Sequence, residues 1–118
     1  MLRPQADLTV FLYTEPVDMR KSIDGLATIV QQQLDLDPFS ESLFVFCNRQ
    51  RDKIKLLLWE KNGFILWYKR LEKHKFSYQF GGQQATICLS AGELNYLLDG
   101  INIFQQKPHE RLNFSAVV

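Results

Sequence analysis

The sequence predicts a single α+β domain with a largely antiparallel sheet of about five strands and two helices, and three observations carry that expectation. Short apolar or alternating runs recur along the chain, an Asn-Gly pair separates two aromatic-rich runs, and two segments show helical spacing with start signals. At 118 residues, 46% hydrophobic and 13% aromatic, the chain has the size and apolar content of one folded domain with its own core. The expected boundaries are a domain over residues 1–103 and a mobile C-terminal tail over 104–118, where periodic signals fade.

Each element has its own signal. Leu8 to Tyr13 is apolar or aromatic on both faces, the pattern of a buried strand. Asp18 stands where a helix N-cap is wanted, and Ile23, Leu26, Ala27, Val30 and Leu34 follow at helical spacing, which predicts an amphipathic helix over Met19 to Leu34. Gly25 inside it weakens the helix by about 1 kcal/mol relative to Ala, which points to a close approach to the sheet. Asp37-Pro38 with Ser40 marks a turn, and Leu43 to Cys47 reads as a central strand.

The next two strands flank Asn62-Gly63, the strongest short-range hairpin signal. A two-residue Asn62-Gly63 loop pairs Trp59 with Leu66, Leu57 with Tyr68 and Lys55 with Arg70 on one face. It pairs Leu58 with Trp67, Leu56 with Lys69 and Ile54 with Leu71 on the other. A three-residue loop with Gly63 in the left-handed region shifts the register by one, and both remain open. Ile54, Leu56, Leu58 and Trp67 are assigned to the core. Ala85 to Leu89 is a last strand, and Ser90 with Glu93 forms a capping box that opens a short helix ended by Gly100.

Charge is distributed unevenly behind a net value of +1. From Arg49 to Lys75 there are nine basic and three acidic residues, a local +6, against −5 over the rest of the chain. Such a field attracts a polyanion or an acidic protein; it also fits a solvated hairpin whose charge opposes edge-to-edge aggregation. Arg49, Arg51, Lys53, Lys55, Lys69, Arg70 and Lys73 are the candidates for nucleic-acid contact, with Arg20 and Lys21 extending the surface from the start of the first helix. Exposed aromatic rings next to such cations can stack on unpaired bases, although a strand tryptophan is more often core.

Catalytic and metal constellations are weak. His74 and His109 have no evident nucleophile or orienting partner, and Asp18, Asp24, Asp35 and Asp37 read better as a cap and as solvated turn residues than as metal ligands. No Walker motif, dinucleotide fingerprint or zinc spacing occurs, so no enzyme activity, metal, cofactor or small-molecule substrate is expected. Cys47 and Cys88 read as two packed thiols. No apolar run reaches the ~18 residues of a membrane span, and Met1 to Asp7 lacks the apolar core of a secretory signal, so a cytoplasmic protein is expected.

Several blocks carry a resemblance. They are Tyr13-Thr14-Glu15-Pro16-Val17-Asp18-Met19-Arg20-Lys21 with Asp24-Gly25-Leu26, Asp37-Pro38-Phe39-Ser40, Leu43-Phe44-Val45-Phe46 and Asn48-Arg49. Lys55-Leu56-Leu57 with Trp59, and Gly63-Phe64 with Leu66-Trp67-Tyr68-Lys69-Arg70-Leu71, complete the set. In this order the chain resembles the small TnpB accessory proteins, products of the second open reading frame of bacterial insertion sequences of type sixty-six. It departs from that pattern at Cys47 and Leu58, where a basic residue and Tyr are common, and at Tyr78-Gln79, where Trp-Pro is common. The resemblance implies a non-catalytic role in transposition of a mobile element, with DNA and the element's separate transposase as partners. It carries over no catalytic residue.

Overall fold

Short apolar or alternating runs in five segments and a 3.6-residue pattern in two build the molecule. In the computed structural model, which describes residues 8–100, they become β1 (Thr9–Tyr13), α1 (Ile23–Gln32), β2 (Ser42–Cys47), β3 (Lys53–Glu60), β4 (Gly63–Arg70), β5 (Thr86–Leu89) and α2 (Ala91–Leu98). The strands form one sheet in the order β4-β3-β2-β1-β5. β1 and β2 are parallel, as the intervening helix requires, and the other three pairings are antiparallel. The architecture is α+β, as the sequence predicts. The segment from Phe104 onward, expected to form a tail, lies outside the described residues.

Both faces of the sheet are covered, which is why β2 is apolar at every position from Leu43 to Cys47. On one side Leu26 and Val30 of α1 bury against Phe44, Phe46 and Leu57. On the other, Leu94, Leu97 and Leu98 of α2, with Phe76 and Tyr78 from the β4–β5 connection, cover Val10, Leu12, Val45, Ile54 and Leu56. Each fully buried leucine or isoleucine contributes about 1.5–3 kcal/mol by leaving water. Phe11 and Phe44, opposed across the parallel pair, stack at 5.7 Å between ring centroids. The core assignments of Ile54, Leu56 and Leu58 hold, and Trp67 packs partly buried against the same cluster.

Three local expectations are corrected. First, α1 begins at Ile23, not Met19, and its N-cap is Ser22, not Asp18. The Asp18 carboxylate accepts the Arg20 backbone N–H at 2.9 Å and the Asp18 carbonyl accepts that of Lys21 at 3.1 Å, closing a turn before the helix. The carbonyls of Met19 and Lys21, which a longer helix would need for Ile23 and Gly25, instead accept from the Lys55 ammonium at 2.8 Å each. Secondly, Gly25 does not serve approach to the sheet; a Cβ there would meet the Lys21 stem at 3.2 Å.

Thirdly, the hairpin turns at Lys61-Asn62, with Lys61 at φ 54 and Gly63 already in β4, paired with Glu60. Trp59 therefore opposes Phe64, Leu57 opposes Leu66 and Lys55 opposes Tyr68. The slip is by two residues, so each side chain keeps the face assigned to it.

The capping box of α2 forms as expected. Ser90 Oγ accepts from the Glu93 N–H at 3.0 Å and the Glu93 carboxylate accepts from the Ser90 N–H at 3.1 Å. No helix among the described residues is long and apolar enough to cross a membrane.

A cationic cleft on the helix 1 side of the sheet

The segment after β1 and the loop between β2 and β3 come together at one end of the sheet. The Val17 N–H donates to the Cys47 carbonyl at 2.9 Å, fixing the first segment to the end of β2. Asn48, 6% exposed, organises the second. Its side-chain oxygen accepts from the N–H groups of Asp52 (3.1 Å) and Lys53 (3.0 Å), and its amide nitrogen donates to the Asp52 carboxylate (2.6 Å) and to the Gln50 side-chain oxygen (3.3 Å). Arg51 completes the turn at φ 60, its N–H donating to the Asn48 carbonyl.

Between these two pieces lies an open cleft of about 580 Å³, walled by residues 16–20 on one side, Asn48, Arg49, Gln50 and Lys53 on the other, and by Tyr68 of β4. Of the nine cations singled out from the sequence, Arg20, Arg49 and Lys53 line it. Lys55 and Arg70 lie on the same side of the sheet, by alternation with Leu57 and Leu66, and Lys21 adjoins the cleft through the Lys55 hydrogen bond.

The other three are elsewhere. Arg51 reaches the α2 side, where its Nε donates to the Tyr78 carbonyl at 2.7 Å and its guanidinium lies 4.6 Å from the Phe80 ring centroid. The Lys69 ammonium donates to the Leu98 carbonyl at 2.6 Å, satisfying the C-terminal end of α2. Lys73 is exposed in the connection that follows β4.

Carboxylates temper the cluster. Asp18 grips Arg20 through both oxygens, and the hydrogen bonds from Arg20 hold its carboxyl down at about 2. Asp52 is lowered by the Asn48 amide first and by Lys53 next, whose ammonium lies 3.4 Å away. Glu72 is lowered by Arg70, which it meets at 2.8 Å. Arg49 makes no hydrogen bond or ion pair among the described residues, and the Arg20 side chain stays 91% exposed despite its partner. Exposed pairs of this kind are worth little in stability and exchange readily for another anion.

Tyr68 is 52% exposed, with the Lys55 ammonium 5.5 Å from its ring centroid. Asn48 and Gln50 belong to the cleft but were not among the sequence candidates. The available signal was only the turn preference of Asn48, whose side chain can accept from nearby backbone N–H groups; Gln50 carried none. Of the two thiols, Cys47 is buried and pushed up to about 12 by that burial, whereas Cys88 on the edge strand β5 is exposed, contrary to the expectation that both are packed. Among the described residues no three His, Cys, Asp or Glu side chains gather where a cation would sit.

A family model described as IS66 Orf2 like protein matches residues 8–108. The chain belongs to the IS66 Orf2-like family. It is thus a transposition-associated accessory protein of insertion sequences, a family not known for enzyme activity. Two proteins of Sinorhizobium fredii are similar to it: the uncharacterized protein y4jC, 30% identical over 102 residues and covering 86% of each chain, and the uncharacterized protein y4hO, 33% identical over 102 residues and covering 86% of this chain and 88% of that one. No solved structure matches. From the blocks on which the resemblance partly rests, Asp18, Met19, Arg20, Asn48, Arg49 and Tyr68 line the cleft, whereas Lys69 points to the α2 side.

Proposed function

We propose that this IS66 Orf2-like protein acts in the cytoplasm by binding DNA through the α1 side of its sheet, helping to assemble the transposase complex during DNA recombination of the element. One observation supports this reading above the others: Arg20, Arg49 and Lys53 line one open cleft, and Lys21, Lys55 and Arg70 lie on the same side of the sheet, the six coming from four separate segments. Cations in that arrangement neutralise adjacent phosphates and release their counterions. Their carboxylate partners, Asp18, Asp52 and Glu72, keep the surface soluble and leave the binding weak enough to reverse.

Fluorescence anisotropy with element-end and random oligonucleotides over a salt series tests it. Engagement of about four phosphates gives a slope of log K against log salt near −3 to −4. Arg49→Ala with Lys21→Ala is expected to lower both affinity and slope, while Lys69→Ala leaves them unchanged. Absence of binding to any DNA at low salt would sink the reading.

The ion pairs themselves favour a second reading, a protein adaptor for the transposase without nucleic-acid contact, since three of the six cations already hold carboxylates. It predicts a complex with the transposase that survives nuclease treatment and charge reversal at Lys55 and Arg70.

A further inference from the structure

We infer that the cleft is built for an unpaired nucleotide, so that the protein prefers single-stranded DNA to duplex; this rests on the DNA-binding reading above and narrows it. Phosphate contact alone needs only exposed cations on a convex surface. Here Arg20, Arg49 and Lys53 line a concavity of about 580 Å³, within the ~300–1,000 Å³ range of clefts that hold small ligands. Tyr68 forms part of its wall and, among the described residues, is one of two large apolar side chains exposed beyond half, at 52%. An aromatic ring on a strand facing the α1 core would ordinarily be covered; this one is left in a polar cleft.

The Lys55 ammonium lies over the ring, 5.5 Å from its centroid, and polarises it, while half of the residue's surface stays accessible to a base. Lys55 is in turn fixed by the Met19 and Lys21 carbonyls, so the ring and its cation are preorganised. Gln50 adds an orienting group. Its side-chain oxygen accepts from Asn48, which leaves its NH₂ to donate to an acceptor on a base edge. Arg49 and Arg20 flank the same space and suit the phosphates on either side of the stacked nucleotide. A single NH₂ donor reads no unique base, and the stacking surface accepts all four, so the preference is for strandedness rather than sequence.

The experiment compares a single-stranded oligonucleotide, its duplex and an RNA strand of the same sequence by anisotropy at one salt concentration. Single-stranded DNA is expected to bind about tenfold tighter than duplex, the scale of one base–aromatic stack. Tyr68→Leu is expected to remove about tenfold from the single strand and to leave duplex affinity and salt slope unchanged, while Tyr68→Phe retains the preference. Duplex binding equal to or tighter than single-strand binding, or equal losses for both with Tyr68→Leu, would overturn the inference while leaving DNA binding intact. Tighter binding of the RNA strand would overturn the assignment to DNA. Loss of all binding at low salt would instead remove the reading on which it rests.

Discussion

Lys55 and Met19, thirty-six positions apart, are joined by a hydrogen bond from the Lys55 ammonium to the Met19 carbonyl oxygen at 2.8 Å. Together with the matching bond to Lys21, it holds the 18–21 turn against β3 and keeps α1 from starting four residues earlier. Lys55→Met is therefore expected to cost about 1–2 kcal/mol, the scale of hydrogen bonds made by a charged donor at a partly exposed site. With both carbonyls released to the N–H groups of Ile23 and Gly25, Cα chemical shifts of Met19 to Ser22 should move toward helical values. Unchanged shifts would show that the turn is held by Asp18 alone.

Arg51 combines two opposing contributions. Its side chain ties the 48–52 loop to Tyr78 and Phe80, while its backbone sits at φ 60, where an L-residue is disfavoured by about 1–2 kcal/mol. Both Arg51→Ala and Arg51→Gly lose the tie, but only glycine relieves the backbone. The glycine variant should therefore unfold at the higher urea midpoint of the two, by about 1 kcal/mol in stability, with both below the parent. An alanine variant equal to glycine would show that the turn relaxes out of the left-handed region.

The hairpin turn shows how far the sequence could be read. Alternation placed Ile54, Leu56 and Leu58 on one face of β3 and Leu57 on the other, and the structure agrees because burial on both sides enforces period two. Nothing local distinguished Asn62-Gly63 from Lys61-Asn62 as the loop, since both registers keep the same faces. The start of α1 was hidden for a different reason: Lys55, which takes the carbonyls, is remote in sequence. The basic run was legible as composition, yet Arg51 and Lys69 leave the cleft side to support the β4–β5 connection and the end of α2. From this turn a test follows. Lys61→Gly should stabilise by about 0.5–1 kcal/mol by relieving φ 54, and Gly63→Thr should be neutral or stabilising, because its Cβ would meet nothing within 4 Å. Loss of stability on Gly63→Thr in thermal denaturation would restore the Asn62-Gly63 turn.

The two thiols should separate cleanly in reactivity. Cys88 is exposed on an edge strand, whereas Cys47 is fully buried and its thiol is pushed up to about 12, so at neutral pH almost none of it is thiolate. Native protein treated with a thiol-specific disulfide reagent should release one equivalent of chromophore rapidly and the second only on unfolding. Cys88→Ser should abolish the rapid phase; a rapid equivalent surviving that change would mean that the end of β2 opens in the native state.

Asp18 is the most direct lever on the cleft. Hydrogen bonds from Arg20 hold its carboxyl at about 2, so the pair is intact wherever the carboxylate is ionised and is lost only as pH falls through that value. The sign follows from a folded-state pKa below the unfolded one: whatever stability the pair adds is present above the ordinary carboxylate range and disappears in strong acid. An NMR titration of the Asp18 carboxyl should give a midpoint near 2 that moves up toward the ordinary value of 3.8 in Arg20→Ala. At neutral pH Asp18→Asn keeps an acceptor for the Arg20 N–H but frees the guanidinium for another anion. DNA affinity should then rise severalfold, with the salt slope steepening by about one phosphate's worth. A fall in affinity would mean that Asp18 serves the cleft by aiming Arg20 rather than by restraining its charge.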